Sequence, residues 1–443
     1  MPNDRFALTN FRRFIITPST DRQRERNVMR MLMPDHGMAA EDVLTTLAAL
    51  KQKDCDWKNG RAPAYAFNPV DEIYELGRSA FLEYFSENAL GMHRAFPSVK
   101  QLETEVIDMA LGLFNGPPGA TGFMTTGGTE SIIQAVQACR DLFRATRPSS
   151  GNRNNIVAPD SVHPAFEKAG RLMDIQVRRV SVGTDFRADP AAIRAAIDED
   201  TIMVVGSAPC FPYGTIDPIS EIAAIARERG VWMHVDACVG GYIAPFARMI
   251  GRPIPAFDFA IEGVCSLSAD LHKFGLCPKP ASTVFYRTAD HARFHPFEFS
   301  GWPSGRFYTT TIVGTRPAGG VAAAWAVFRH LGIAGYKRIA EDLLAHVDAY
   351  RAGIAAIPGL KVLGDPHLSI VAFGSDEIDV FRVAEVMAEK GWLPGLLQRP
   401  KAIHRMLSRL HMPVMDEYLS DLRAAVQRVR ESTPAASRLE AIY

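Results

Sequence analysis

Three segments of the chain contain residue types that could bind an anion or perform covalent chemistry. The first, at positions 125–131, reads Thr-Thr-Gly-Gly-Thr-Glu-Ser and opens a predicted helix. Glycine lets the backbone approach a ligand, and the N–H groups of a helix start attract negative charge, so Gly128 and Thr129 could hold an anion. A glycine turn with a threonine N-cap is also common, so this motif alone is equally compatible with a structural role.

The other two segments place a carboxylate and an amine directly after buried strands. Asp236 ends a predicted strand that starts at Val231, and ligands in open α/β sheets bind at the carboxyl ends of such strands. Lys273 follows the strand that starts at Cys265, and its apolar neighbours favour the neutral amine that attacks an aldehyde. The structural alternatives are an ordinary strand-end turn for Asp236 and a surface position for Lys273.

The order of these groups along the chain is more informative than any one of them. His163, which stands just before a predicted helix, would by itself be interpreted as a cap or a core residue. An anion-holding helix start, a histidine, a strand-end acid and a lysine together meet the needs of pyridoxal 5′-phosphate. These needs are a phosphate cradle, a ring cover, a carboxylate for the pyridine nitrogen and an amine for the aldehyde. The sequence therefore predicts this cofactor.

The elements that must position these residues are predicted between Gly122 and about Tyr286. Short β-rich runs alternate there with helical stretches, which predicts βαβ units and a mainly parallel sheet. The predicted strands cover 155–158, 175–182, 201–207 and 231–236, and the helices between them cover 164–173, 190–197 and 218–229. Further strands at 258–262, 265–268 and 282–287 have no long helices between them, so the sheet is expected to be mixed.

Helical patterns flank this region on both sides. An amphipathic helix is predicted over 38–51, with Val43, Leu47 and Leu50 on its apolar face. Other elements are helices at 71–85, 99–114, 318–357 (broken near Gly332 or Gly335), 379–390 and 415–430, and strands at 360–363 and 369–373. We predict a helical N-terminal arm over 1–95, a large cofactor-binding domain over 96–317 and a smaller α+β domain over 318–443.

Composition excludes several classes of function. The 443 residues include 49 basic and 49 acidic side chains, so there is no basic excess for nucleic-acid binding. The six cysteines show neither a C-x-x-C pair nor zinc-ligand spacing, which predicts reduced thiols and no metal site. No apolar run approaches the roughly 20 residues that span a bilayer, and Met1–Asn10 lacks the apolar core of a signal peptide. We therefore expect a cytoplasmic protein without a membrane anchor.

Four stretches resemble the group II decarboxylase superfamily of pyridoxal-phosphate enzymes and, within it, the bacterial sphingosine-1-phosphate lyase family. They are 96–106, 125–131, 207–219 and 234–241, extended by 268–279 and 314–317. The run Ser-Ala-Pro-Cys-Phe-Pro-Tyr-Gly-Thr-Ile-Asp-Pro-Ile at 207–219 points to the lyases. The resemblance implies an α/β, fold-type I, transferase-like architecture, in which helices enclose a mainly parallel mixed sheet and a smaller α+β C-terminal domain follows.

The resemblance also assigns roles at the cofactor. Lys273 is similar to the lysine that bonds to the cofactor aldehyde, and Asp236 to the partner of the pyridine nitrogen. His163 resembles the histidine that stacks on the ring, with Ala237 on the opposite face. The residues that match the phosphate cradle or adjoin the lysine are Gly128, Thr129 and His272. Because these motifs are intact, a degenerate member without catalytic activity is disfavoured.

At the substrate the resemblance is less complete. It implies retro-aldol cleavage of a phosphorylated sphingoid base to a long-chain aldehyde and phosphoethanolamine, with amino-acid decarboxylation as the alternative. Lys279 matches a lysine that holds the substrate's phosphate. The family's histidine and tyrosine have only approximate counterparts in His93, which is out of register, and Tyr65, two residues from Phe67. The family is typically homodimeric, and the resemblance implies that residues 308–311 and Arg316 reach the partner's cofactor.

Overall fold

The computed structural model describes residues 32–147, 154–433 and 436–442, so the predicted absence of a signal peptide at Met1–Asn10 lies outside the described residues. Its largest element is a seven-stranded sheet. The strands are β1 (Thr121–Thr125), β2 (Asn155–Pro159), β3 (Gln176–Val180), β4 (Thr201–Ser207), β5 (Trp232–Asp236), β6 (Val264–Ala269) and β7 (Ser282–Tyr286). Their order is β1-β7-β6-β5-β4-β2-β3, and β7 alone runs antiparallel to its neighbours. The predicted mixed, mainly parallel sheet is confirmed.

Helices cover this sheet and extend beyond it at both ends of the chain. They are α1 (Ala40–Lys51), α2 (Glu72–Glu83), α3 (Pro97–Leu113), α4 (Gly128–Thr146), α5 (Ala165–Met173), α6 (Pro190–Ala196), α7 (Ile219–Arg229), α8 (Ala244–Met249), α9 (Ala289–Ala292), α10 (Gly319–Ala355), α11 (Val380–Glu389) and α12 (Met415–Glu431). Every residue of β4 and β5 is buried, as expected for parallel strands with helices on both faces.

The sheet topology brings distant segments to one edge. The parallel strands β5 and β6 end at this edge, with Asp236 opposite Ser268. The antiparallel β7 begins there, because Ser282 pairs with Thr125 at the end of β1 and Thr283 pairs with Ala269 at the end of β6. The loops that follow β1, β5 and β6 therefore meet, and these loops carry the predicted cofactor residues.

A second, smaller sheet forms the centre of the C-terminal region. It contains β10 (Lys361–Val362), β11 (Ile370–Gly374), β12 (Leu396–Gln398) and β13 (Lys401–Met406) in the order β10-β11-β13-β12, and β8 (Phe297–Trp302) with β9 (Gly305–Thr309) makes a separate hairpin. The smaller C-terminal domain is confirmed, whereas the residue boundaries of the three predicted units stay a prediction. The long helix α10 is broken at Gly332 (φ 52°, ψ −172°), as the sequence predicts.

The structure contradicts one predicted strand and leaves the apolar face of one predicted helix exposed. The predicted strand at 258–262 is wrong: this segment turns, because the Asp258 carboxylate accepts the Ala260 N–H at 3.0 Å and the Asp258 carbonyl accepts the Ile261 N–H at 3.0 Å. The predicted helix at 38–51 is confirmed as α1, but its apolar face is uncovered in the single chain. Leu47 and Leu50 are 56% and 51% exposed.

Two negative findings apply to the described ranges. No helix there is long and apolar enough to cross a membrane. No group of three or more His, Cys, Asp or Glu side chains there could hold a metal ion.

Candidate active site

The turn after β6 places Lys273 against a buried carboxylate. Lys273 N–H donates to the Asp270 carbonyl at 3.2 Å, and its Nζ lies 3.0 Å from Asp270 Oδ2. Asp270 is 2% exposed, and its Oδ1 accepts a hydrogen bond from the Ser282 hydroxyl at 2.5 Å. Burial raises the pKa of Asp270, but Lys273, His272 and the Ser282 hydroxyl together hold the pKa below its usual value. Asp270 is therefore a carboxylate at neutral pH.

The start of α4 lies beside this pair. A Cβ atom at Gly128 would lie 2.7 Å from Cys238 Sγ and 2.9 Å from both Asp270 carboxylate oxygens, so a larger residue does not fit without displacing its neighbours. No side chain caps the helix at Gly127. The first N–H groups of α4 can therefore donate hydrogen bonds to an external anion, and Thr129, which is half-buried, follows Gly128 in the first turn.

His272 supplies an unsatisfied polar atom at the same place. Its Nδ1 is buried and has no hydrogen-bond partner among the described residues, while its Nε2 lies 3.6 Å from Asp270 Oδ2. Burial lowers the pKa of His272, which Asp270 raises and Lys273 lowers further. A buried nitrogen without a partner costs free energy, so the arrangement is suited to a ligand that hydrogen bonds to this atom.

Asp236 lies at the end of β5, on the same edge of the sheet. It is 7% exposed, and its Oδ1 accepts the Cys238 N–H at 3.1 Å. Two residues before it, His234 hydrogen bonds to Ser266 and Ser268, and burial lowers its pKa to about 4, so its imidazole is neutral at pH 7. Ala237 is fully buried.

His163 makes a hydrogen bond at a helix start and also lies near two predicted cofactor residues. Its Nδ1 accepts the Ala165 N–H at 3.1 Å, so the ring satisfies the first N–H group of α5, whose N-cap residue is Pro164. Burial lowers the pKa of His163, Asp236 raises it and Lys273 lowers it. The imidazole therefore lies within electrostatic reach of both predicted cofactor residues.

Lys273 lines a cavity of about 620 Å³. Lys279 lies at this cavity and donates from Nζ to the Tyr65 carbonyl at 2.9 Å. Burial lowers the pKa of Lys279, and Lys273 lowers it further by repulsion. The rest of the wall is largely apolar, and its lining includes Trp57, Ala64, Phe67, Phe81, Leu82, Leu276 and Cys277.

His93 lies outside the cavity that contains Lys273. Its ring centroid is 5.5 Å from that of Tyr308, and both residues line a small separate cavity with Arg316. Arg316 forms a buried ion pair with Glu103 at 2.5 Å. His93 does not line the cavity that contains Lys273, so the single chain brings Tyr65 and Lys279 to that cavity but not His93.

The sequence interpretation missed Asp270 and Ser282 as members of the site. The apolar neighbours of Lys273 suggested a neutral amine, whereas the structure shows a carboxylate 3.0 Å from it. The available signal was the spacing, because an acid three residues before a lysine can fold back onto it in a tight turn. Ser282 had no such signal, since only the pairing of β7 with β1 and β6 brings it to this edge.

Comparisons with known proteins show the family to which the chain belongs. Residues 86–375 match the family profile described as the pyridoxal-dependent decarboxylase conserved domain. The chain belongs to this family. Pyridoxal 5′-phosphate is therefore its cofactor, and the chain is a pyridoxal-phosphate-dependent lyase.

Individual relatives narrow the resemblance. The chain is 42% identical over 420 residues to a sphingosine-1-phosphate lyase of Arabidopsis thaliana, covering 93% of this chain and 76% of that protein. A solved structure of a sphingosine-1-phosphate lyase from Burkholderia pseudomallei K96243 has a TM-score of 0.87 and 36% identity, covering 90% of this chain and 93% of that one. A probable L-tyrosine/L-aspartate decarboxylase of Methanothermobacter thermautotrophicus is 32% identical over 358 residues, covering 81% and 94%. The fold-type I architecture predicted from the sequence is confirmed.

The residues at the sheet edge fit this cofactor. The uncapped start of α4 with its glycine cradle suits a phosphate, and the unsatisfied His272 Nδ1 provides one more polar contact. Lys273 would supply an amine for the aldehyde, and Asp236 would face the ring nitrogen with its carboxyl group. When bound, the cofactor supplies an electron-accepting ring that stabilises negative charge on the substrate's amine carbon.

Proposed function

We propose that the chain cleaves a phosphorylated sphingoid base between its amine carbon and its carbinol carbon. The products are a long-chain aldehyde and phosphoethanolamine. The observation that carries this proposal is a single cavity that combines the Lys273 amine, a second cation at Lys279 and a largely apolar wall. This combination fits a substrate with an amine, an adjacent phosphate and a long alkyl chain.

The cavity's dimensions and charges support this substrate class. Its volume of about 620 Å³ lies within the range of roughly 300–1,000 Å³ that is usual for small-molecule sites. Lys279 provides a positive charge next to Lys273, and its ammonium is already oriented by the Tyr65 carbonyl. We assign Lys279 and Tyr65 to the substrate's phosphate end, and the apolar wall to its alkyl chain, whose burial contributes about 0.8 kcal/mol per methylene.

We assign the cofactor-binding roles to residues at the sheet edge. Gly128, Thr129 and His272 hold the phosphate, and Asp236 keeps the ring nitrogen protonated because an anion beside a base favours its charged form. His163 and Ala237 bind the two faces of the ring. Lys273 would hold the cofactor through its side-chain amine, and the apolar wall of the cavity would exclude water from the reacting carbon.

The proposal includes a homodimer with the active site at the subunit interface. It is supported by the apolar face of α1, which no part of the described chain covers and where Leu44 and Leu47 are 67% and 56% exposed. His93 and Tyr308 form a cluster separate from the Lys273 cavity. In a dimer this cluster would serve the partner's cavity, which would give His93 its predicted role toward the substrate. A cytoplasmic location stays a prediction.

Amino-acid decarboxylation is the second candidate. The relative from Methanothermobacter thermautotrophicus, a probable decarboxylase, is 32% identical to this chain, and both reactions use the same cofactor residues. The two differ in the anion that the substrate presents, because a lysine such as Lys279 can bind a carboxylate as well as a phosphate.

The test is a substrate comparison with the purified holoenzyme. Sphinganine 1-phosphate, unphosphorylated sphinganine and a panel of amino acids including tyrosine and aspartate are incubated separately. We expect aldehyde and phosphoethanolamine in equal amounts from the phosphorylated base, and no carbon dioxide from the amino acids. Carbon dioxide from an amino acid without aldehyde from the phosphorylated base would overturn the proposal in favour of decarboxylation.

A series of phosphorylated amino alcohols of increasing chain length provides the matched control. If the apolar wall binds the alkyl chain, kcat/KM rises with chain length until the wall is filled. A kcat/KM that is independent of chain length would contradict the assignment of the wall, even if aldehyde is released.

A further inference from the structure

We propose that Asp270 is a positioning residue for Lys273, and that it stabilises the positive charge on the lysine nitrogen while the cofactor is attached. The proposal deepens the assignment of Lys273 as the attachment site. It concerns an interaction within this chain, and it does not depend on which substrate the enzyme cleaves.

The contact between the two side chains is close and enclosed. Lys273 Nζ lies 3.0 Å from Asp270 Oδ2, and the side chains are 16% and 3% exposed. Charges that are shielded from solvent in this way interact more strongly than the same pair on a surface. Asp270 can therefore influence whether the lysine nitrogen carries a proton.

A chain of buried hydroxyl groups fixes the carboxylate in place. Ser282 Oγ donates to Asp270 Oδ1 at 2.5 Å and lies 3.0 Å from Ser131 Oγ, which in turn lies 2.6 Å from Thr125 Oγ1. Thr125, Ser131 and Ser282 are each 2% exposed or less. The chain connects the end of β1 and the first turn of α4 to the carboxylate, so the phosphate cradle and the lysine share one rigid support.

Gly128 lies next to the Asp270 carboxylate. A Cβ atom at this position would lie 2.9 Å from both Asp270 oxygens, so the absence of a side chain at Gly128 creates the space that Asp270 occupies. The Ser282 hydroxyl then holds the carboxylate in that space through its hydrogen bond to Oδ1.

Several other titratable groups surround Asp270 and must be considered with it. His272 Nε2 lies 3.6 Å from Oδ2. The groups within electrostatic reach on other segments are His163, Cys238, Tyr242 and Lys279. Burial lowers the pKa of His163 and His272 and raises the pKa of Cys238 and Tyr242, so these four are neutral near pH 7. Lys273 is the cation in direct contact with Asp270.

The consequence is a pH effect with a definite sign. A carboxylate next to a nitrogen favours its protonated form, so removal of the carboxylate moves the loss of that proton to lower pH. The shift expected for an opposite charge at this distance is about 1–3 pH units. The same sign is expected for the free amine and for the nitrogen bonded to the cofactor, because both are basic nitrogens of the Lys273 side chain.

The test is a spectroscopic pH titration of holoenzyme without substrate, in which the visible absorption band of the lysine-bound cofactor is followed. Wild type is compared with Asp270→Asn, which removes the charge and keeps the shape. We expect the midpoint to be lower in the variant by at least one pH unit. If the wild-type band shows no midpoint at any pH at which the protein stays folded, we expect the band of Asp270→Asn to show a midpoint within that pH range.

Two further variants complete the experiment. Thr283→Val is the matched control, because the Thr283 hydroxyl hydrogen bonds to the Ala269 carbonyl and the Tyr242 hydroxyl rather than to Asp270, and its midpoint should equal that of wild type. If Asp270→Asn yields too little folded holoenzyme, Asp270→Ser, which is smaller and also uncharged, is titrated with the same expectation. A charge-removing variant that titrates like wild type overturns the proposal. A shifted midpoint in an enzyme that cleaves no phosphorylated base would leave this proposal intact and refute only the proposed function.

Discussion

The floor and the rim of the candidate site are built in different ways. We define the floor as Gly128, Asp236, Asp270, His272, Lys273 and Ser282, and the rim as Tyr65, His93, Lys279 and Tyr308. The floor residues lie at one edge of the large sheet, where strand pairing places them. The rim residues lie on loops and the hairpin outside that sheet, and they divide between two cavities.

This difference separates reaction type from substrate choice. The floor holds its groups by short contacts within one chain, such as the 3.0 Å contact of Asp270 with Lys273, and it suits any amine substrate. Within the described part of the chain, Lys279 Nζ donates to the Tyr65 backbone carbonyl, and His93 contacts Tyr308 away from the main cavity. We infer that the floor sets the chemistry and that the rim sets the substrate, and substitutions in each region should therefore have different kinetic signatures.

The largest effect should follow from removal of the amine in the floor. For Lys273→Ala we expect kcat to fall by about 10³-fold or more, because the amine assigned to the cofactor is removed and Lys279, which also lines the cavity, is assigned to the substrate's phosphate. The measurement is single-turnover kinetics, with thermal unfolding as a check of the fold. Turnover within tenfold of wild type would show that the reaction does not depend on this lysine.

Asp236→Asn tests the floor's second charged group. An amide keeps the shape but not the charge beside the ring nitrogen, so we expect kcat to fall by about 10²–10³-fold, with the cofactor still attached to the protein. Cofactor content and kcat are measured on the same sample. An unchanged kcat in fully loaded enzyme would remove Asp236 from the proposed mechanism.

A substitution in the rim should change substrate preference and leave the floor's chemistry intact. For Lys279→Ala we expect KM for the phosphorylated base to rise about 10- to 100-fold, since a hydrogen bond to a charged group contributes about 1.5–3 kcal/mol. Lys279→Arg retains the charge and serves as the matched variant, with a smaller rise expected. Equal losses for phosphorylated and unphosphorylated bases would contradict the assignment of Lys279 to the phosphate.

The smallest expected effect is on protein stability, through buried histidines in the scaffold that supports both regions. Burial lowers the pKa of His234, His295 and His404 to about 4, so the folded protein resists a proton that the unfolded chain binds below about pH 6.5. Their contribution to stability is complete above pH 6.5 and is lost as the pH falls toward 4. Asp217, whose pKa burial raises to about 6, acts in the opposite direction between about pH 6 and pH 4.

We therefore expect the free energy of unfolding, measured by urea titration, to fall by about 1 kcal/mol per buried histidine for each pH unit below 6.5. His404→Gln removes one titrating group while offering an amide that can donate to the Phe211 carbonyl in place of His404 Nε2. Its stability should depend less on pH than that of wild type. Identical pH dependence in the two proteins would show that His404 is not protected from protonation.

The same contrast explains what could be predicted from the sequence. The run 201–207 was predicted as a buried strand and forms β4 with the same bounds, because a continuous apolar run is typical of a strand covered on both faces. Asp236 and Lys273 are predicted as site residues because Asp236 ends one buried strand and Lys273 follows another, and both lie at the same edge of the sheet. The hairpin β8–β9 was not predicted, and all six residues of β8 are exposed, so no buried pattern marks it.

The parts that the sequence could not supply depend on long-range contacts. Ser282 reaches Asp270 only because β7 pairs with both β1 and β6. The strand predicted at 258–262 failed because the local hydrogen bonds of Asp258 compete with strand pairing. The substrate role of His93 stays a prediction, because it depends on how two chains associate.

The most direct test of the central claim is to find the lysine that carries the cofactor. Holoenzyme is reduced with borohydride, which makes the bond between the cofactor and the lysine permanent, and is then digested and analysed by mass spectrometry. We predict a single modified peptide with the cofactor on Lys273, and no modified peptide from Lys273→Ala. Modification of another lysine such as Lys279, with Lys273 unmodified, would contradict the account.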